Sequence, residues 1–141
     1  MSLGYIFQLK DIFRDIPANT STGLKRHIMI IIAETDTDFL AVPIDSIENK
    51  ILINGQLKLA NYPQANDFKL NISEYGCSFI KKPSFVNYKK AKLIPRFNLQ
   101  TLFNDSEIDF LGTISDEFLS KLIDKGLSSQ FLKPAYKQLL Q

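Results

Sequence analysis

The chain alternates short apolar runs with polar turns, and none of the runs approaches the ~20 residues of a membrane-spanning helix. Residues 27–33 (HIMIIIA) are rich in β-branched side chains and too short for a helix. They predict a central strand, apolar on both faces. Polar residues 34–38 predict a turn, and 39–44 (FLAVPI) predict a second strand. A proline within a strand is confined to an edge, an end or a bulge. Pro43 therefore predicts the end of regular pairing, with Asp45 and Ser46 in a turn just beyond it.

The same pattern extends in both directions. Residues 5–16 suit a strand or a short helix; a strand over 11–16 is favoured, because Pro17 and the run 19–23 (NTSTG) mark a loop after it. Asn54-Gly55 predicts a hairpin within 51–59. Residues 68–72 alternate as a half-buried strand should, and 77–80 and 85–92 read as further short strands. Residues 94–103 fit either element. Ser115 is a good helix N-cap, and Asp116 and Glu117 suit the positive end of the helix dipole. Phe118, Leu119, Leu122 and Ile123 then fall on one helical face, and Gly126 reads as the C-cap. A last helix is predicted over about 129–140, with Pro134 in its first turn. Short strands followed by a terminal helix predict a mainly β, antiparallel small barrel capped by a C-terminal helix. It forms one domain over 1–141, with the barrel at about 5–103 and the helical part at about 115–140.

Composition narrows the class of function more than it names one. A chain of 141 residues is expected to form one domain. At that size roughly 68% of the unfolded surface is buried, so neither disulfide nor metal is needed to hold a core. A net charge of +2 is too small to imply a nucleic-acid partner by itself. The single cysteine, Cys77, cannot form an internal disulfide, which favours a reducing cytoplasm. The start has no basic segment followed by a long apolar one, so no signal peptide is expected. One His and one Cys give no zinc-type ligand set, and no phosphate-cradling glycine run or nucleophile elbow is present. No metal or other cofactor is expected.

Two groupings of polar residues carry candidate chemistry. Between Phe79 and Phe103 lie Lys81, Lys82, Lys89, Lys90, Lys92 and Arg96, without an acidic residue and interleaved with Phe85, Tyr88 and Phe97. Cations neutralise phosphates and aromatic rings stack unpaired bases, so this mixture suits single-stranded RNA. The same run also reads as a solvated strand face with core aromatics between its charges. Residues 105–124 are conversely acidic. The second grouping is Lys25-Arg26-His27 with Asp45-Ser46. If the two central strands pair antiparallel, Arg26, His27, Asp45 and Ser46 gather at one end of the sheet. A cation, a carboxylate and an imidazole together support acid–base chemistry on a phosphodiester. The plainer reading is an Arg26–Asp45 surface ion pair worth about 0–1 kcal/mol, with Asp45 or Ser46 satisfying its own turn.

In order, four segments resemble the PemK/MazF-like family of growth-inhibitor toxins. Lys10-Asp-Ile-Phe13 is similar to the family's opening "GDI" strand, with Lys10 at the Gly. Lys25-Arg-His-Ile-Met-Ile-Ile31 is similar to its "RP-hydrophobic" strand, with His27 at the Pro. Phe39-Leu-Ala-Val-Pro-Ile-Asp-Ser46 is similar to its "vvPiTS" strand, with Asp45 at the Thr. Leu111-Gly-Thr-Ile-Ser-Asp-Glu-Phe-Leu119 is similar to the lead-in of its terminal helix. The resemblance implies an SH3-like barrel that cleaves single-stranded RNA without a metal, as the toxin of a toxin–antitoxin system. It implies that Arg26 stabilises phosphate charge or acts as an acid while a ribose 2′-OH attacks, with Ser46 at the family's Ser. Asp45 supplies a carboxylate suited to a base. Extra residues between 47 and 69 make the chain similar to the larger ToxN/AbiQ group of type III systems. There a basic groove binds an RNA antitoxin, a part that Lys25, Lys50 and the 81–96 cluster can play. The implied partners are single-stranded RNA, a protein or RNA antitoxin, and a second copy of the chain, with no membrane. Phe131, Leu132, Tyr136, Leu139 and Leu140 are apolar residues available for such a dimer. The alternative is a non-catalytic barrel, encoded by a mobile element, that binds RNA or a protein.

Overall fold

A computed structural model describes residues 3–9, 28–47, 50–59, 63–106 and 108–141, with the side chains of residues 8, 9, 50–53 and 57–59 left aside. The strand expected over 11–16 lies outside these residues, as do Lys10, Lys25, Arg26 and His27. The described chain forms β1 (Tyr5–Leu9), β2 (Ile28–Glu34), β3 (Asp38–Ser46), β4 (Lys50–Ile53), β5 (Gln56–Leu59), β6 (Lys69–Leu70), β7 (Ser84–Val86), β8 (Lys92–Pro95), α1 (Arg96–Asn104), β9 (Ile108–Thr113), α2 (Asp116–Ser128) and α3 (Pro134–Leu139). The fold is mainly β, with helices at its C-terminal end. Seven strands make one antiparallel sheet in the order β6-β7-β3-β2-β1-β9, with β8 also on β3. Among the described residues β6 and β9 stand at opposite ends of that order and do not pair, so the sheet does not close on itself.

The central pair β2–β3 forms because both strands are apolar on both faces and both faces are covered. Ile30, Ile32, Leu40 and Val42 enter one core, under Phe118 and Leu122 of α2 and Leu132 beyond it. Met29, Ile31, Phe39 and Ala41 enter the other, with Phe7 of β1, Leu99 of α1 and Ile108 of β9. The register slips between Ile31 and Ala33, leaving Ile32 as an extra residue. That bulge turns Ile32 and Ala33 toward the same core, where simple alternation would separate them.

Pro43 does not end pairing as the sequence predicts; β3 continues through Ser46. One edge of β3 pairs with β2, while the other is divided. Asp38 to Ala41 face β8, and Ile44 to Ser46 face β7. The Pro43 carbonyl accepts the Asn87 N–H at 2.9 Å, on the divided edge. A strand residue's N–H and C=O point the same way. The amide hydrogen that Pro43 lacks is therefore missing where β3 changes partners, and costs no ladder bond.

Elsewhere local chemistry prevails. Asn54 and Gly55 have φ of 50° and 78°, the paired positive values of a two-residue I′ hairpin joining β4 and β5. The Ser115 hydroxyl accepts the Phe118 N–H at 3.1 Å and caps α2. Pro134 is the first residue of α3. Several expectations change. The strand expected over 68–72 is only Lys69–Leu70, and 77–80 is a turn whose Ile80 N–H meets the Cys77 carbonyl at 3.0 Å. The single strand expected over 85–92 is β7 and β8, divided by a 3-10 turn at Tyr88–Lys90. Residues 96–104 are helical although no side chain caps α1. Gly126 is not a C-cap, since α2 runs on to Ser128. A side chain there would meet Leu140 Cδ1 at 3.0 Å and Tyr88 Cε1 at 3.1 Å, so this glycine is set by close packing. Leu132 is buried, and Tyr136, Leu139 and Leu140 pack against the same core, so these apolar residues are engaged within the chain.

Candidate functional site

The antiparallel register sets Ile28 opposite Ile44, so the start of β2 lies beside the end of β3. Asp45 and Ser46 are at that end. Asp45 is half-buried and sits opposite Phe85 of β7, within the sheet and not in a turn of its own. Its Oδ2 accepts a 2.7 Å hydrogen bond from Asn87 Nδ2. Asn87 is only 2% exposed, and its backbone is anchored on both sides. Its N–H donates to the Pro43 carbonyl at 2.9 Å, and its carbonyl accepts the Lys90 N–H at 3.1 Å. The remaining polar atom, Oδ1, is buried without a hydrogen-bond partner among the described residues. The bond to Asp45 fixes this orientation, because a flipped amide would set oxygen against carboxylate oxygen. Ser46 is exposed and pairs with Ser84, whose hydroxyl donates to the Lys82 carbonyl at 2.7 Å.

Asn87 escapes a reading of the sequence. It stands between Val86 and Tyr88, and its only signal is a polar residue among apolar ones. Nothing local indicates that its side chain reaches a residue 42 positions away.

The basic residues do not line a single strand face. Lys81 and Lys82 are exposed on the loop leading into β7, next to Ser46, where Ile47 N–H donates to the Pro83 carbonyl at 2.9 Å. Lys89 and Lys90 are exposed on the turn that leaves β7. The lysines therefore flank the three-residue β7 at its two ends. Lys92 is half-buried on β8, opposite Ala41. Lys50 begins the β4–β5 hairpin, which among the described residues is a sheet of its own. Arg96 is committed inside the chain. Its Nε and Nη2 donate to the Thr35 carbonyl at 2.8 and 2.6 Å, and Nη2 also meets Glu34 Oε2 at 3.2 Å. Its guanidinium lies 4.4 Å from the centre of the Phe39 ring. Arg96 thus pins the β2–β3 turn to the start of α1.

The interleaved aromatics divide in the same way. Phe85 and Tyr88 are buried, and Phe79 packs against the core, so their rings are not open to bases. Phe97, at 80% exposure, is the ring of that group presented to solvent. The Tyr88 hydroxyl donates to the Leu122 carbonyl at 2.6 Å. Burial, and then the nearby Asp67 charge, hold its pKa far above the usual tyrosine range. Burial likewise raises the Cys77 thiol, which disfavours the reactive thiolate.

Among the described residues no group of three or more His, Cys, Asp or Glu side chains is placed to hold a metal ion, and no helix is long and apolar enough to cross a membrane. The arrangement offers a positioned carboxylate with an exposed hydroxyl beside it and lysines on the adjoining loop. Chemically this can accept a proton and attract an anion. Searches against family models, curated proteins and solved structures found no match to the chain.

Proposed function

We propose that the chain is a metal-independent endoribonuclease of the PemK/MazF-like kind, with its strands forming an SH3-like barrel, and that it acts as the toxin of a toxin–antitoxin system. The observation that carries this reading is the Asp45 carboxylate, hydrogen-bonded to a buried amide at the end of β3 and beside the start of β2. The segments that resemble the family also support it, since those in the described residues fall on β2, β3, β9 and the start of α2.

On this reading Asp45 takes the proton from a ribose 2′-OH. The freed oxygen attacks the adjacent phosphorus, and the bond to the 5′-oxygen breaks. Arg26 stabilises the charge gathering on the phosphate oxygens. His27 supplies the proton to the departing 5′-oxygen, and Ser46 hydrogen-bonds the phosphate. Lys81 and Lys82 hold flanking phosphates. A protein or RNA antitoxin restrains the toxin by covering the same surface.

The test is incubation of the purified protein with single-stranded RNA in EDTA. Cleavage is expected in the wild type, with a loss of about 100-fold or more in Arg26→Ala. Intact RNA, or cleavage unaffected by Arg26→Ala, refutes the proposal. Intact RNA with a salt-dependent gel shift would favour the non-catalytic RNA-binding barrel instead.

A further inference from the structure

We infer that Asn87 is the positioning residue for the Asp45 carboxylate, an inference that rests on the endoribonuclease reading. A buried polar group without a partner usually costs about 1–3 kcal/mol, and each such group in a folded protein needs a reason. Asn87 Oδ1 is such a group. At 2% exposure the position suits an apolar side chain of the same shape, and Leu there would carry no polar atom of its own to leave unpaired. Packing thus gives no reason for an amide. The bond from Nδ2 to Asp45 gives one, and among the described residues it is the only side-chain hydrogen bond Asn87 makes.

The geometry is suited to holding a carboxylate still. Asn87 grips β3 twice, through its backbone at Pro43 and through its side chain at Asp45, two residues further along. The segment between these grips is where β3 exchanges β8 for β7, and there the ladder is least continuous. A donor fixed at both backbone ends holds Asp45 Oδ2 in place. The plane of the carboxylate is then set, as positioned chemistry requires. Asn87 touches no reacting atom on this account; it acts through Asp45.

The experiment compares Asn87→Leu and Asn87→Ser with the wild type, measuring urea unfolding together with cleavage of single-stranded RNA. Leu keeps the shape without the donor. Ser is smaller and too short to reach Asp45, and serves if Leu does not fold. The expected result is a fall in kcat of about tenfold or more with KM nearly unchanged, in protein that is folded at the assay temperature. Asn87→Leu is expected to keep or raise the unfolding midpoint. Wild-type kcat in a folded variant would overturn the inference and leave the endoribonuclease reading standing. A fall in activity that only follows the folded fraction would overturn it too, since Asn87 would then be structural. No cleavage by the wild type would overturn the reading, and this inference with it.

Discussion

Gly126→Ala separates what a helix prefers from what this core permits. In an exposed helix interior, Ala stabilises over Gly by about 1 kcal/mol. Gly126 is within α2, so propensity alone predicts a gain. The surroundings predict the opposite. An added Cβ would lie 3.0 Å from Leu140 Cδ1, 3.1 Å from Tyr88 Cε1 and 3.5 Å from Leu132 Cδ2, where carbon atoms rest comfortably at ~3.5–4.0 Å. Leu140 is half-buried, and the near atom is the far end of its flexible side chain, which can rotate away. Tyr88 cannot, because it is 1% exposed and its hydroxyl is tied to the Leu122 carbonyl at 2.6 Å. Overpacking of this kind costs about 1–3 kcal/mol. Setting about 2 kcal/mol of it against the propensity gain leaves a net loss of about 1 kcal/mol. Urea unfolding should show a lower midpoint with an unchanged slope. Ser120→Ala, on the exposed face of the same helix, is the control and should gain a few tenths of a kcal/mol. A Gly126→Ala protein more stable than wild type by about 1 kcal/mol would show that the Tyr88 ring yields, and would refute the packing argument.

Two further predictions concern the tie between the C-terminal helices and the sheet. Ser129 is 1% exposed; its hydroxyl donates to Asp67 Oδ2 at 2.5 Å and accepts the N–H groups of Phe131 and Leu132 at 3.0 and 3.2 Å. Ser129→Ala strands these groups together and should cost about 2–3 kcal/mol in urea unfolding; a loss below about 0.5 kcal/mol would contradict the assignment. Tyr88 makes the alkaline limb of stability steeper. Its folded pKa is raised above the ordinary 10.0, so its contribution is complete below about pH 10 and is lost as the pH climbs above that value and the unfolded chain ionises. Tyr88→Phe should lose about 1 kcal/mol near neutral pH and should unfold less steeply above pH 10; parallel alkaline limbs for the two proteins would refute this.

Much of the architecture is legible along the chain wherever the deciding interaction is local. Asn54-Gly55 sets its hairpin because positive φ at two adjacent positions is a property of those two residues. Ser115 caps α2 because the N–H that its hydroxyl accepts is three residues away. The apolar runs of β2 and β3 predict strands covered on both faces, and their antiparallel pairing follows from the short turn between them. α1 is hard to read because it has no cap and one buried residue, Leu99, and because a distant turn, through Arg96, holds its first residue. β9 is missed among acidic residues. Its pattern of one buried position, Ile108, followed by half-buried and exposed ones is weak, and it is a strand because β1 needs a partner.

For the candidate site, the sequence alone determined that the chain about Asp45 and Ser46 comes near the start of the neighbouring strand, and that lysines crowd residues 81–96. Only the tertiary structure decided what those groups face. β3 passes Pro43 unbroken because two different strands share its outer edge. Arg96 is spent on the Thr35 carbonyl, and Phe85 and Tyr88 are turned into the interior. Asp45 meets Asn87, 42 residues further along the chain. The physical reason is the range of the forces involved. Capping, turn geometry and strand periodicity act within a few residues, so the chain displays them in order. A hydrogen bond between side chains far apart along the chain depends on which faces the packing brings together, and only the folded sheet sets that.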